Sequence, residues 1–217
     1  MGLNKSTWCL AIAETIVWAG MYYLFPGLLS YWETYYGWNK TDLAIAFSLA
    51  LIVSALMAPV AGRLIHRGYG RILLTACSVL GGVTLALLPL VDDKLQFYGV
   101  WLVIGVSMAG CFYEPCFSFV VHTYGDGARK VITRITLVAG FAGTLSFPTT
   151  AFLADLFDWR AGVWAFAAMI CFIATPLFWI GAAPQEAADD VASIHPKTGG
   201  TQQGLPGINL SAALRRP

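Results

Sequence analysis

Apolar residues dominate this chain in six long runs, and polar residues gather in the short gaps between them. The runs extend roughly over residues 8–31, 42–61, 72–91, 95–122, 131–154 and 160–182. A helix needs about 20 residues to cross the hydrocarbon core of a bilayer, and each run is long enough. Lipid offers no partner for a bare backbone N–H or C=O, so each run is expected to cross as a helix. The pattern predicts an all-α membrane protein of six transmembrane helices joined by turns rich in Gly, Asp, Asn and Arg. The first run follows Lys5 as the core of a signal peptide would. It is interrupted by Glu14, however, and no small-x-small cleavage site follows, so it reads as a retained helix.

Composition supports the pattern. The chain has 217 residues, 58% hydrophobic and 12% charged, against about 25% charged in a soluble domain. A net charge of +1 gives no handle for nucleic acid. The cysteines, Cys9, Cys77, Cys111, Cys116 and Cys171, all lie in apolar runs without a CxxC pair. They read as small buried hydrophobes, with no metal site and no cofactor expected.

Charge sets the orientation. Ten of the thirteen lysines and arginines fall on one side of the six runs: Lys5, Arg63, Arg67, Arg71, Arg129, Lys130, Arg134, Lys197, Arg215 and Arg216. Lys40, Lys94 and Arg160 fall on the other. Excess Lys and Arg mark the cytoplasmic side, so both termini are expected inside. Residues 1–182 then form one six-helix domain. Residues 183–217, polar and rich in Gly, Pro and Gln, read as a flexible cytoplasmic tail.

Two spacings recur. Ala19-Gly-Met-Tyr-Tyr, followed by Pro26, resembles Ala109-Gly-Cys-Phe-Tyr, followed by Pro115, at an offset of 90. Pro59, Leu64 and Arg71 recur as Pro148, Leu153 and Arg160 at an offset of 89. Chance matches are the alternative, since Ala, Gly and aromatics are common in membrane helices. If helices one to three repeat as four to six, the odd number forces the second copy to enter from the opposite side. That is an inverted repeat, a building block of secondary transporters.

The stretch Gly62-Arg-Leu-Ile-His-Arg-Gly-Tyr-Gly-Arg71 resembles the loop signature of the major facilitator superfamily between its second and third helices. Gly62, Leu64, Arg67, Gly70 and Arg71 match, the last two after one extra residue. The run from Phe25 to Leu43 and the Phe-Asp-Trp-Arg before the sixth helix are similar to bacterial members. The resemblance covers residues 8–182 and implies half of a major-facilitator fold, in a cell membrane expected to be a bacterial inner membrane. Members normally carry twelve helices. The end, Leu-Ser-Ala-Ala-Leu-Arg-Arg-Pro, resembles the residues before a seventh helix, so the chain looks like an amino-terminal half with its inter-half linker. The resemblance also implies a cytoplasmic latch at the loop, where an acid of the family is replaced by His66. A neutral imidazole would make a weaker and pH-sensitive latch. A plain positive-inside turn is the alternative. Either way, glycines allow the tight turn, and arginines offer donors to helix C-termini and lipid phosphates.

Ionisable groups inside spans are functional candidates, because a charge at the bilayer centre costs about 2.5–3.5 kcal/mol on insertion scales. Two acids qualify, Glu14 in helix one and Glu114 in helix four. At 1.5 Å per residue they sit roughly 9 and 12 Å from the cytoplasmic ends. Glu14, Trp18, Tyr22 and Phe25 share one helical face, and Ser107, Cys111, Glu114, Ser118 and Val121 share another. Arg134 is a candidate counter-charge. In the superfamily both helices line the central cavity. Desolvation favours the neutral form of a carboxyl, so such a pair could carry a proton or bind substrate. A structural hydrogen bond or ion pair between helices is the competing reading. Pro26, Pro59, Pro115 and Pro148 are expected to mark kinks.

The expected function is a half of a secondary active transporter, proton-coupled and moving a small organic solute by alternating access. A non-transporting fragment or scaffold needing a second half is the alternative. An intramembrane enzyme is weaker: Gly105-Val-Ser-Met lacks the second glycine of a Gly-x-Ser-Gly, and no histidine lies in the last span. Faces carrying Glu14, Glu114, Ser107 and Ser118 would be poorly solvated by lipid. Pairing as a homodimer, or with a separate six-helix half, is therefore expected.

Overall fold

The computed structural model describes residues 5–183. The tail from residue 184 on, with Lys197, Arg215 and Arg216, lies outside the described residues. Among the described residues all regular structure is helical. It comprises α1 (Lys5–Val17), α2 (Leu24–Tyr36), α3 (Lys40–Leu64), α4 (Gly70–Leu87), α5 (Lys94–Cys111), α6 (Tyr113–Tyr124), α7 (Ala128–Ala139), α8 (Ala142–Leu156), α9 (Trp159–Met169) and α10 (Thr175–Gly181). Short π-helical turns at Trp18–Tyr23, Ile65–Tyr69 and Ile170–Ala174 join neighbours.

The expected six separate helices are not what forms. Helical geometry runs on through several turns, leaving four continuous runs long and apolar enough to cross a membrane: Lys5–Tyr36, Lys40–Leu90, Lys94–Leu156 and Trp159–Gly181. Two runs, of 51 and 63 residues, would extend roughly 77 and 95 Å if straight, far beyond a core of about 30 Å. The first is broken at Gly68, whose φ is +86°, a left-handed value that glycine adopts without a steric penalty. In the second, a 3-10 turn at Gly125–Gly127 separates α6 from α7, and Gly125 also has positive φ.

Three of the irregular segments share a cause. Proline has no N–H, and its ring meets the carbonyl four residues back. Pro26 and Pro176 each follow a π-helical turn, which widens the ladder there. Before Pro115 the helix breaks outright: α5 ends at Cys111, and Phe112 is extended (φ −90°, ψ −169°). Pro59 and Pro148 lie inside α3 and α8.

Helix starts are capped locally. The Asn39 side chain accepts from the Asp42 N–H at 2.8 Å, and Asp93 accepts from Gln96 N–H at 2.9 Å. Gly37, at φ +67°, ends α2 in the left-handed conformation.

Helices α3 and α4 both pack extensively along α5, while α1 packs on α7 and α10, and α8 on α9 and on the turn after α1. Small residues permit these approaches. A Cβ on Gly105 would strike the Ala50 backbone, one on Gly70 would lie 2.7 Å from the Phe119 ring, and one on Gly20 would crowd Phe166 and Ile170. Gly110 meets Cys77, and Gly82 meets Cys171. Large aromatics fill one end, where Trp32, Phe97, Trp101 and Phe25 pack edge to face. The outward faces are apolar, with Leu56, Ile72, Val83, Phe152 and Phe172 exposed. Such a surface is poorly tolerated in water and suits lipid.

Two arginines tie helix ends across the bundle. Arg71 Nε donates to the Trp179 carbonyl at 2.8 Å, with its guanidinium 3.7 Å above the Trp179 ring. Arg160 Nε donates to the Pro89 carbonyl at 3.4 Å and also bonds Asp158 and Tyr35.

Backbone contact at Gly105 cannot be relieved by a rotamer change. Gly105→Ala is therefore expected to destabilise the protein by about 1–3 kcal/mol, the usual range for overpacking. Gly99→Ala, in the same helix with open space around it, should be neutral or stabilising by up to about 1 kcal/mol. Thermal unfolding of both variants in detergent measures the difference.

Candidate functional site

The break before Pro115 and the π-helical turn at Trp18–Tyr23 lie against one another. Trp18 stacks on Phe112 at 4.4 Å between ring centroids and packs on Tyr113 at 4.6 Å and Tyr22 at 5.1 Å. Trp18, Tyr22, Phe112 and Glu114 then line one cavity of about 390 Å³, closed on its far side by Leu51 and Ser54 of α3. A smaller cavity of about 210 Å³ shares Ala58, Ala109 and Glu114 with it and reaches Gly62 and Ser118. Glu114 is the charged group in both linings, and its side chain is exposed.

Glu14 sits elsewhere. It is fully buried, and neither carboxyl oxygen has a hydrogen bond of ordinary geometry. The Cys116 thiol and the Trp18 indole N–H are its nearest donors, and Glu114 lies within electrostatic range. Trp18 touches this acid and also lines the cavity.

The sequence-predicted faces are thus split. Ser107 and Cys111 are buried and turned to the helix itself: Ser107 Oγ donates to the Val103 carbonyl, and Cys111 Sγ to the Ser107 carbonyl, both at 3.1 Å. The extended Phe112 rotates everything after it, so Glu114, Ser118 and Val121 do not continue that face. Phe25 is buried among Phe47, Trp32 and Trp101, away from the cavity. Arg134 is half-buried on α7, and no ion pair joins it to either acid among the described residues. Phe112, Ser54 and Leu51 were not anticipated. Phe112 was hidden by reading residues 95–122 as one unbroken helix, although Pro115 marked the fault. Ser54 lay in the small-residue series Ala50, Ser54, Ala58, Ala61, whose spacing of three and four puts it on one face.

At the loop, Gly68 makes the turn, one position inside the matched signature. His66 and Arg67 are exposed, and the His66 ring meets His122 edge to face at 5.9 Å. Gly62 has open space around it, and Leu64 is half-buried. Gly70 is pinned by Phe119 and Arg71 by Trp179.

Apolar helical runs with an oily exterior and an acid-bearing internal cavity define a multi-pass membrane protein. A family model described as the Major Facilitator Superfamily matches residues 10–217, and the chain belongs to that superfamily. Transport across a membrane is the general activity this membership assigns. No curated protein and no solved structure matches the chain significantly.

The two acids should differ in chemical access. A water-soluble carbodiimide with glycine ethyl ester is expected to modify Glu114 and leave Glu14 unmodified in the folded protein. Peptide mass spectrometry reads both sites. Equal modification would contradict the burial of Glu14.

Proposed function

We propose that the chain moves a small organic solute by alternating access, coupled to protons, using the cavity between α1, α3 and the α5–α6 break. The observation that carries this reading is the pair of acids. Glu114 faces the cavity without an ion-pair partner among the described residues, and Glu14 is buried behind Trp18 without a well-formed hydrogen bond. An unpaired buried carboxyl is costly. Proton binding would remove that cost by neutralising the charge, which makes the pair a reasonable proton carrier. Ser118 and Tyr22 are the polar groups best placed to orient solute.

Six membrane crossings in two inverted copies are part of the same proposal. Breaking the long runs at Gly68 and at Gly125–Gly127 divides the chain into six pieces of spanning length. The arginine ties support the repeat. Arg71 bonds the carbonyl of residue 179, and Arg160, its counterpart 89 positions on, bonds the carbonyl of residue 89, the counterpart of 179 at an offset of 90. The contact is reciprocal, as a two-fold axis requires. Gly82 touches Cys171, its own counterpart. The turn at Trp18–Tyr23 and the break at Phe112 also correspond. With the Lys and Arg bias, this orientation puts His66, Arg67 and both termini on the cytoplasmic side of the cell membrane. The face bearing the cavity would pair with a second copy or with a separate six-helix half. Self-pairing would be isologous, each copy presenting the same face.

Uptake into proteoliposomes, with and without a pH gradient, tests the proposal. Glu114→Gln is expected to reduce gradient-driven uptake at least about tenfold, a loss of ~1.4 kcal/mol or more, without lowering membrane abundance. Size measurement in mild detergent should show twice the 23.5 kDa of one chain. A monomer without uptake would overturn both transport and self-pairing.

A further inference from the structure

The larger cavity has an unusual lining. Three of its walls are aromatic faces or edges, Trp18, Tyr22 and Phe112, and the charged group among its lining residues is an acid, Glu114. No lysine, arginine or histidine among the described residues lines it or the adjoining smaller cavity. Among the described residues, Arg134 forms no ion pair with Glu114.

Aromatic faces carry negative quadrupole density and attract cations held within about 6 Å of the ring centre, most strongly at tryptophan and when water is excluded. A carboxylate beside them adds a full opposite charge. The same lining repels an anion and gives a neutral solute hydrogen bonds and apolar contact without an opposite charge. About 390 Å³ falls in the range of small-ligand sites, roughly 300–1,000 Å³, and exceeds what an inorganic ion needs. We infer that this cavity binds an organic monocation, an amine or quaternary ammonium bearing an apolar group, with Glu114 as counter-charge and Trp18, Tyr22 and Phe112 as the cage. The inference rests on the transport reading of the same cavity, and it adds the sign of the charge.

Equilibrium binding to the purified full chain tests it, with two probes of similar shape and opposite charge: benzyltrimethylammonium and benzylsulfonate. The cation is expected to bind at least about tenfold tighter than the anion. Glu114→Gln should remove most of that preference, and Trp18→Leu should weaken cation binding while leaving the anion unchanged. Circular dichroism confirms that each variant is folded. Should Trp18→Leu fail to fold, Tyr22→Leu gives the same readout on the cage. Equal binding of the two ions, preference for the anion, or binding of neither would overturn the assignment. Binding is measured at equilibrium without a gradient. A chain that binds the cation but shows no uptake leaves the inference standing and removes the transport reading. A chain that takes up benzylsulfonate and does not bind the cation does the reverse.

Discussion

A backbone amide in hydrocarbon must find its partner within the protein, and most of this fold answers to that constraint. It accounts for the helices, and it makes their ends expensive, because each end leaves carbonyls or amides unmatched. The chain settles its ends in two ways. Asn39 and Asp93 cap amides locally. Arg71 and Arg160 instead reach across the bundle to carbonyls of the last and third helical segments. Those two contacts therefore also fix how the outer segments lie on one another. A lysine could donate one hydrogen bond there but could not also lay a planar group over Trp179.

The same constraint explains why the cavity lies where the helices are irregular. Regular helices with small residues between them close-pack, as Gly105 does on Ala50. Around Pro26 and Pro115 the ladder cannot be regular, and the π-helical turn and the extended Phe112 take up the mismatch. Both faults turn large aromatics toward one another, opening space beside them. Irregular backbone at membrane depth is tolerated where it is buried in protein or lines a cavity, and both segments meet that condition.

The helical character, the oily exterior and the glycine- and arginine-bearing loop were legible in the sequence, because each is written in residue type at short range. Hydropathy located the runs, and a loop signature from Gly62 to Arg71 named the superfamily. Boundaries were less legible. Nothing in the apolar pattern distinguishes a turn that keeps helical hydrogen bonds from one that loses them, so six expected helices became four continuous runs. The cavity was partly legible. Trp18, Tyr22 and Glu114, singled out by charge and aromatic spacing, line it, and Glu14 lies apart from it. Ser107 and Cys111, expected on one face with Glu114, bond carbonyls of their own helix, because a helical wheel assumes unbroken geometry and Phe112 breaks it. Ser54 and Leu51 come from a helix distant in sequence, and no local pattern reports which helix closes a cavity.

In the two-copy reading, structural devices recur and chemical ones do not. Pro26, Pro59, Arg71, Gly20 and the helix fault at Trp18–Tyr23 have counterparts 89 or 90 residues on, in Pro115, Pro148, Arg160, Gly110 and Phe112. The acids do not: 90 positions on from Glu14 stands Ile104, and 90 positions before Glu114 stands Leu24, both buried apolar residues. Duplication supplies a frame whose halves can move as equivalents, and a strictly duplicated site would place identical acids on both sides of the axis. Here the charge is gathered on one side, with one acid exposed to the cavity and one withdrawn behind Trp18. The two carboxyls therefore stand in different surroundings, one facing the cavity and one enclosed by protein. In the two-copy reading an asymmetric pair of acids sits on a symmetric frame, so the acids cannot stand in for one another as the repeats can.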